Sequence, residues 1–508
     1  MSEQTKYDVV IIGGGIGGLA SACILAKEGK RVIVLEKNHQ IGGNLQVFSR
    51  DKVVFDTGVH YIGALSEGQN LDRFFKYLGI REGLQLKQME VNGADRIHFG
   101  EESVSYPIGQ GYDNFAAQLI AHFPEEEKAV KHYCKLIKEV CSAFPLYNLK
   151  YESADYFTAE FFTRNLKDVI SELTDNKRLR SVLVGNSLLY AGQSSLTPFY
   201  VHALVVDGYI NSAYRCINGS SQIAKLLIKE IRKHGGEVRK RAEVSSASYL
   251  DQHIESVTLT TGEKIYGDFF INSTHPKAML SIFGTNRFRK PYVSRIMGLK
   301  NTQSSFSVHL KFKPNSFPYL NHNFYHHKSE EEAWEAVGVI DENWPRTLMF
   351  SMTTSEENPI FAEAASIITY MDFEEMKPWL NSFNTVTIPG ERPASYYAFK
   401  NKCENKVLDE LEKLFPDIRL HIESVYSSTP LTYKDYIGDP SGSMYGVQKE
   451  YTNPMSTMID PRTKIPNLLL TGQSINLHGV LGVTVSAFAT CFHLIDPNDI
   501  MKKLTQIK

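Results

Sequence analysis

Cysteine is scarce and scattered in this chain: Cys23, Cys134, Cys141, Cys216, Cys403 and Cys491 are spread over 508 residues with no C-x-x-C spacing. Several fall on apolar helical faces, so they read as small core residues in a reducing compartment and exclude a disulfide framework. Metal-site patterns are missing as well. There is no H-E-x-x-H, no nucleophile elbow and no zinc spacing, so no metal is expected. The adjacent His326 and His327 lack ligand spacing and are expected at the surface. An excess of one charge sign is also absent. Lys and Arg total 55 against 57 Asp and Glu, and a net charge of -2 gives no electrostatic reason to expect nucleic acid. No apolar run approaches the ~18 residues of a membrane span. The first strand signal begins near Tyr7, which leaves no room for a signal peptide, so a cytoplasmic protein is expected, resting at most peripherally on a membrane. Internal repeats, low-complexity tracts and long linkers are absent too.

The length exceeds one hydrophobic core and implies two or three units of ordinary domain size. A hydrophobic share of 42% and a charged share of 22% suit a globular protein. The 28 Phe and 26 Tyr fit an apolar channel and core packing equally well.

The densest pattern lies at the start, where Tyr7 to Glu36 reads YDVVIIGGGIGGLASACILAKEGKRVIVLE. Val9 to Ile12 is short, β-branched and apolar, as a strand buried on both faces of a parallel sheet should be. Gly13, Gly15 and Gly18 then supply G-x-G-x-x-G, with Ile16 and Gly17 opening the helix. The first glycine permits the tight turn, the second admits a pyrophosphate to the backbone, and the third lets the helix pack close to the strand. Helix N-terminal amides then face the phosphates. A second apolar strand, Arg31 to Leu35, ends in Glu36, a carboxylate about 20 residues past the glycines that suits ribose hydroxyls and disfavours a 2′-phosphate. Strand, glycines, helix, strand and acid in this order predict an α/β, Rossmann-like dinucleotide-binding unit.

After Glu36 and Lys37 come Gly42, Gly43 and Asn44, then FDTGVHYIG from Phe55 to Gly63. This order of LEK, GG and DTG-H resembles the FAD-dependent amine oxidase and phytoene desaturase superfamily. The resemblance implies that FAD is the cofactor, that the Gly42–Gly43 pair passes along it, and that the segment holding Gly58, Val59 and His60 reaches the flavin. At the other end, NLLLT from Asn467 is followed by Gly472, Gln473 and Gly479 to Gly482, opening a helix from Val483 to about Leu494. By the same resemblance Gly472 and Gln473 meet the ribityl chain, with Gln473 where many relatives carry an acid. Leu481 and Gly482 then bring a helix N-terminus to the pyrimidine side of the ring, where backbone amides stabilise negative charge. Five blocks carry a closer resemblance to the retinol saturase branch, related to carotenoid isomerases: FDTGVHYIG at Phe55, LYAGQSSLTPFYVHALVVDGY at Leu189, NGSSQIAKLL at Asn218, STPLTYKDYIG at Ser428 and PNLLLTGQSINLHGVLG at Pro466. Eukaryotic members usually carry an N-terminal targeting segment, and without one a bacterial origin is expected.

The expected organisation is discontinuous. An FAD-binding domain takes 1–85, 214–280 and 428–508, and an α+β substrate domain takes 86–213 and 281–427. Within the first, the helix Ser221 to Lys233 leads into a short strand ending near Val244, a residue whose backbone touches the adenine in the resembled superfamily; strands follow over Ile254 to Thr260 and Lys264 to Asn272. In the second, 86–213 is expected to be mostly helical, with amphipathic runs at Glu125 to Ala143 and Leu166 to Leu173. Residues 281–427 mix strands (Ser305 to Phe312, Ile367 to Met371) with helices (Glu330 to Val337, Asn401 to Phe415).

The family implies a flavin that carries hydride while the protein supplies orientation and electrostatics. An isolated polyene has no carbonyl to polarise. Saturating one double bond therefore takes a hydride from reduced flavin N5 at one carbon and a proton at the other. Candidate donors are His60 and Tyr61 in the DTG-H segment, His202 in FYVHALVVDGY, and His478 beside the C-terminal flavin helix. The expected function is reduction of a carbon-carbon double bond in a retinoid, carotenoid or other apolar polyene. Carotenoid desaturation, redox-neutral isomerisation, amine oxidation and a non-catalytic FAD carrier stand as alternatives. No second nucleotide fold is visible, so the electron donor stays open among NAD(P)H, a reduced flavin, a quinone and a redox protein.

Overall fold

The computed structural model describes residues 6–151 and 160–507. Strand β1 (Lys6–Ile12), helix α1 (Ile16–Lys27) and strand β2 (Val32–Leu35) form the first β-α-β unit, β1 and β2 pairing in parallel with Val9 opposite Val32. On its other side β1 pairs in parallel with β3 (Lys264–Asn272), and β3 with β4 (Leu468–Leu470). Strand Glu237–Arg239 lies beyond β2, so the parallel order is 237–239, β2, β1, β3, β4. A hairpin of Val244–Leu250 and His253–Leu259 extends the first half of β3 in antiparallel fashion.

Side-chain alternation explains why these strands are apolar throughout. Val9, Ile11, Val32 and Val34 point to the face covered by α1, helix Ser221–Lys233 and helix α2 (Gly479–Cys491). Val10, Ile12, Ile33 and Leu35 point to the opposite face, covered by helices Pro276–Phe283 and Lys290–Gly298. A strand covered on both sides has no position for a polar residue, and each buried Val, Ile or Leu contributes about 1.5–3 kcal/mol of transfer free energy.

A second seven-stranded sheet runs in the order Ile422–Ser428, Ser304–Phe312, Ala364–Met371, Thr347–Met352, Asn323–His327, Asp95–Phe99, Ser105–Ile108. One face packs on the helices between residues 112 and 211, and the other on Ala394–Leu414. The chain is thus α/β, a Rossmann-like parallel sheet joined to an α+β unit. All six cysteines are buried free thiols. Among the described residues no helix is long and apolar enough to cross a membrane.

Helix Ser221–Lys233, helix Leu166–Leu173 and strand β3 fall where their patterns place them. Other expectations need correction. Val244 opens a strand; the short strand before it is Glu237–Arg239. Segment 86–213 contributes two strands to the second sheet besides its helices. The expected helix at Glu330 to Val337 is only a 3-10 turn, Glu331–Trp334. His326 and His327 are not surface residues: they are 1% and 0% exposed, on a strand covered on both faces. His326 bonds His98 Nδ1 and Glu410 Oε1, and His327 bonds Thr347 Oγ1 and the Gly185 carbonyl.

Candidate functional site

The C-terminal ends of β1, β2, β3 and β4 open into one cavity of about 600 Å³. Ligands of open parallel sheets bind in such a crevice. The glycine turn forms its floor. Gly13 has φ +101°, a left-handed geometry that strains any side chain. At Gly15 an added Cβ would meet no protein atom within 4 Å, because it would point into the cavity. Gly17 lines the cavity beside Ile16, backed by Gly472. Gly18 does not line it: a Cβ there would sit 2.0 Å from the Gly13 carbonyl oxygen, so its role is close packing of α1 on the turn. Of the expected cofactor contacts, Gly18 is therefore corrected to a packing residue.

Glu36 ends β2 at the cavity wall. Its Oε2 accepts the Gly14 N–H and its Oε1 the Asn38 N–H, each at 2.8 Å. Two lone-pair positions remain for hydroxyl donors. Burial raises its pKa, opposed by those two N–H bonds. Lys37, Gly42, Gly43 and Asn44 continue the wall, the Gly42 N–H donating to the Gly14 carbonyl at 2.8 Å. Gly58, Val59 and His60 line it further along, Val244 borders it beside Ala242 and Glu243, and Gly472, Gln473, Leu481 and Gly482 close it. Helix α2 directs its first-turn amides at the cavity, an arrangement that favours a negative group. The residues present fit a dinucleotide: a side-chain-free cradle at Gly15, an acid with spare lone pairs and a helix N-terminus all face one space.

The proton-donor candidates separate clearly. His202 is fully buried and does not line the cavity; its Nε2 bonds the Tyr133 hydroxyl at 2.8 Å and its Nδ1 the Tyr190 hydroxyl at 2.9 Å. Burial holds its pKa down to about 3. Its place as a candidate acid is corrected to a structural bridge between two tyrosines. His60 lines the cavity, and its buried Nε2 has no hydrogen-bond partner among the described residues. Burial and the Arg215 charge lower its pKa to about 4. His478 also lines the cavity, with Nε2 on the Leu189 carbonyl and its ring on Tyr445 at 4.4 Å, and burial lowers its pKa to about 4. All three rings are neutral near neutral pH. Tyr61 differs. It lines the cavity, and its hydroxyl donates to Asp95 Oδ2 at 2.9 Å and stands 2.6 Å from the Tyr325 hydroxyl.

Two further groups of residues line the cavity outside the motif positions. Ser273, Thr274 and His275 follow the end of β3 and are findable, since the strand-end rule applies to β3 as it does to β1. The second group is the apolar far end, formed by Leu188, Leu204, Val205, Met349, Ile368 and Tyr445, which no local pattern marks.

A family model described as flavin containing amine oxidoreductase matches residues 16–492. Among curated proteins the chain is similar to all-trans-retinol 13,14-reductase of Danio rerio, 29% identical, over 96% of this chain and 86% of that protein. It is also similar to the chloroplastic prolycopene isomerase of Daucus carota, 24% identical, over 97% and 81%. Among solved structures it resembles wild-type putrescine oxidase bound to putrescine, with TM-score 0.65 and 14% identity, over 98% of this chain and all of that one.

Proposed function

The chain belongs to the flavin containing amine oxidoreductase family, and from that premise we propose that it binds FAD and reduces a carbon-carbon double bond of an apolar polyene, a retinoid or carotenoid. One observation carries the reading: the dinucleotide cradle and an apolar chamber are a single cavity. Its lining carboxylates and lysine are Glu36, Lys37, Glu243 and Asp439. They lie at the cradle end, where the Lys37 ammonium donates to the Asp435 carbonyl and stands beside Gly438. The far end offers hydrocarbon surface, phenols and neutral imidazoles. Such a chamber suits a polyene better than an ammonium ion, which would meet no lining carboxylate there among the described residues.

When bound and reduced, the flavin supplies the hydride. Gly13, Gly15 and Gly17 would hold the pyrophosphate, Glu36 the ribose hydroxyls, Val244 the adenine edge, and Gly472 to Gly482 the ring. The apolar wall around Met349 and Ile368 holds the polyene and excludes water. The relatives' names support a retinoid or carotenoid, and the prolycopene isomerase keeps isomerisation as the second reading. The six reduced cysteines suit the cytoplasm. The division into FAD and substrate domains is part of the proposal; helix Lys290–Gly298 packs with the core of the parallel sheet, which moves one boundary toward Leu299.

The test is anaerobic mixing of the reduced holoenzyme with retinol, β-carotene and prolycopene, following flavin reoxidation and product mass together. Reoxidation with a product heavier by two hydrogens is expected. An isomerised product of unchanged mass, with the flavin still reduced, would replace reduction with isomerisation.

A further inference from the structure

Asp95 opens strand Asp95–Phe99 and is 2% exposed, behind the cavity wall. Tyr61 and Tyr325 stand on one side of its carboxylate, with the Tyr61 hydroxyl between the other two groups. Asn323 Nδ2 donates to its Oδ1 at 2.9 Å, and Asn186 is a further hydrogen-bonding neighbour. The Arg215 guanidinium is held off by Asn323, whose Oδ1 it meets at 2.8 Å. Tyr209 completes the surround, its ring 4.5 Å from that of Tyr61. Of these groups Tyr61 and Tyr209 line the cavity, whereas Asp95, Tyr325, Asn323 and Arg215 do not. Tyr61 is thus the residue through which this buried carboxyl reaches the space where a substrate would lie.

The direction of the hydrogen-bond chain depends on Asp95. As a carboxylate it draws the Tyr61 proton away from the cavity, and Tyr325 donates to the Tyr61 oxygen. As a carboxylic acid it donates to the Tyr61 oxygen, which frees the Tyr61 O–H to turn toward the chamber. Burial outweighs the bonds from Asn323, Tyr61 and Asn186 and the Arg215 charge, and the carboxyl pKa is raised to about 6, so both forms exist near neutrality.

Resting on the polyene reading above, we propose that Tyr61 delivers the substrate proton and that Asp95 is the positioning residue that recharges it. In the step, a bound reduced flavin would supply the hydride that becomes the C–H bond at one carbon of the double bond, and would itself be left oxidised. The Tyr61 O–H breaks as a C–H forms at the other carbon, and the Asp95 O–H breaks as a new O–H forms at Tyr61. Asp95 is left as carboxylate. Water entering the emptied cavity returns one proton by way of Tyr61, and a two-electron donor of the reduced nicotinamide class restores the flavin. A second phenol–carboxyl pair, Tyr112 with the buried Asp207 at 2.5 Å, lies outside the cavity lining, and Asp207 keeps its bonds from Tyr147 and Asn211 without it. Tyr112 therefore serves as the internal control.

The experiment compares wild type, Asp95→Asn, Tyr61→Phe and Tyr112→Phe as holoenzymes. Flavin content is measured first and is expected to match in all four. Single-turnover reoxidation of the reduced enzyme by all-trans-retinol is then followed from about pH 5 to about pH 8. Asp95→Asn and Tyr61→Phe should each slow it by about 10²-fold or more, and Tyr112→Phe by less than about threefold. The wild-type rate should fall as pH rises through about 6, a limb that Asp95→Asn loses. Infrared titration of the substrate-free proteins supplies a readout independent of turnover. A carboxylic acid band should titrate near that pH in wild type, vanish in Asp95→Asn and shift its midpoint in Tyr61→Phe. Unchanged rates in Asp95→Asn and Tyr61→Phe, or a band indifferent to Tyr61→Phe, would overturn the proposal. A wild type that retinol, carotene and prolycopene all fail to reoxidise would sink the polyene reading and, with it, proton delivery to a polyene; a shifted band would then retain only the Asp95–Tyr61 coupling.

Discussion

Asn44 Nδ2 donates to Gln473 Oε1 at 3.2 Å, joining two walls of the cavity that lie 429 residues apart in the chain. Each residue borders the cavity, so the bond holds the opening between the glycine pair and the C-terminal loop at a fixed width. Gln473→Ala should leave the fold unchanged and raise the flavin dissociation constant by up to about tenfold, the worth of one neutral hydrogen bond of about 0.5–1.5 kcal/mol. Fluorescence titration of apoprotein with FAD measures it. Unaltered affinity would show that the bond does not shape the cofactor site.

The glycines of the first turn should fail in different ways. At Gly15 an added Cβ meets no described atom within 4 Å and enters the cavity, so Gly15→Val should fold with the Tm of wild-type apoprotein and carry no flavin absorbance. At Gly18 a side chain collides with the Gly13 carbonyl, so Gly18→Val should destabilise the protein before any cofactor question arises. A full flavin spectrum in Gly15→Val would remove this loop from the cofactor site.

Much of this was legible because the signals are local. Helix Ser221–Lys233 and strand β3 carry their periodicity within one segment, and the glycine turn with Glu36 forms one continuous unit. What depended on distant chain was not. The adjacency of His326 and His327 argues against shared ligation and predicts exposure, yet a strand covered on both faces buries both neighbours. The motif around His202 offers it as an acid, but its tyrosine partners, one of them 69 residues away, decide its role. Asp95 gave no signal at all: its link to the cavity is Tyr61, 34 residues earlier, and Tyr325 arrives 264 residues after Tyr61.

The cofactor should leave intact on heating. Nothing in the sequence marks a covalent attachment site, so denaturation should release FAD into the supernatant, identified by chromatography against FMN. Glu36→Ala should speed that release, removing charge-assisted bonds to ribose worth about 1.5–3 kcal/mol. Flavin that stays with the precipitate, or appears as FMN, would contradict the assignment.

Acid should destabilise the fold through its buried histidines. His202, His309 and His327 have pKa values pushed down to about 3 by burial, so the unfolded chain takes up their protons near 6.5 while the folded chain refuses them. Stability is therefore lost as pH falls from about 6.5 toward about 3. Asp56 and Asp95, raised to about 6, work in the opposite direction between their unfolded and folded values, but His60 and His478, lowered to about 4, add to the loss. Urea midpoints should be lower at about pH 4.5 than at about pH 6.5. An equal or higher midpoint at the acid value would mean that these rings accept protons in the fold.

The last contrast separates the two histidines that the motifs bring forward. His202→Phe strands the hydroxyls of Tyr133 and Tyr190 in the core, each costing about 1–3 kcal/mol when left unpaired. It should lower Tm while the folded protein keeps its flavin and its single-turnover rate within about threefold. His60→Phe removes a ring whose Nε2 has no partner among the described residues, so Tm should hardly move. Since that ring is neutral near pH 7, its loss should slow reduction by less than about tenfold, short of the ~10² expected of a positioned acid. If His60→Phe instead abolished reduction with flavin in place, the proton would pass through His60, and Tyr61 would become its neighbour in the wall.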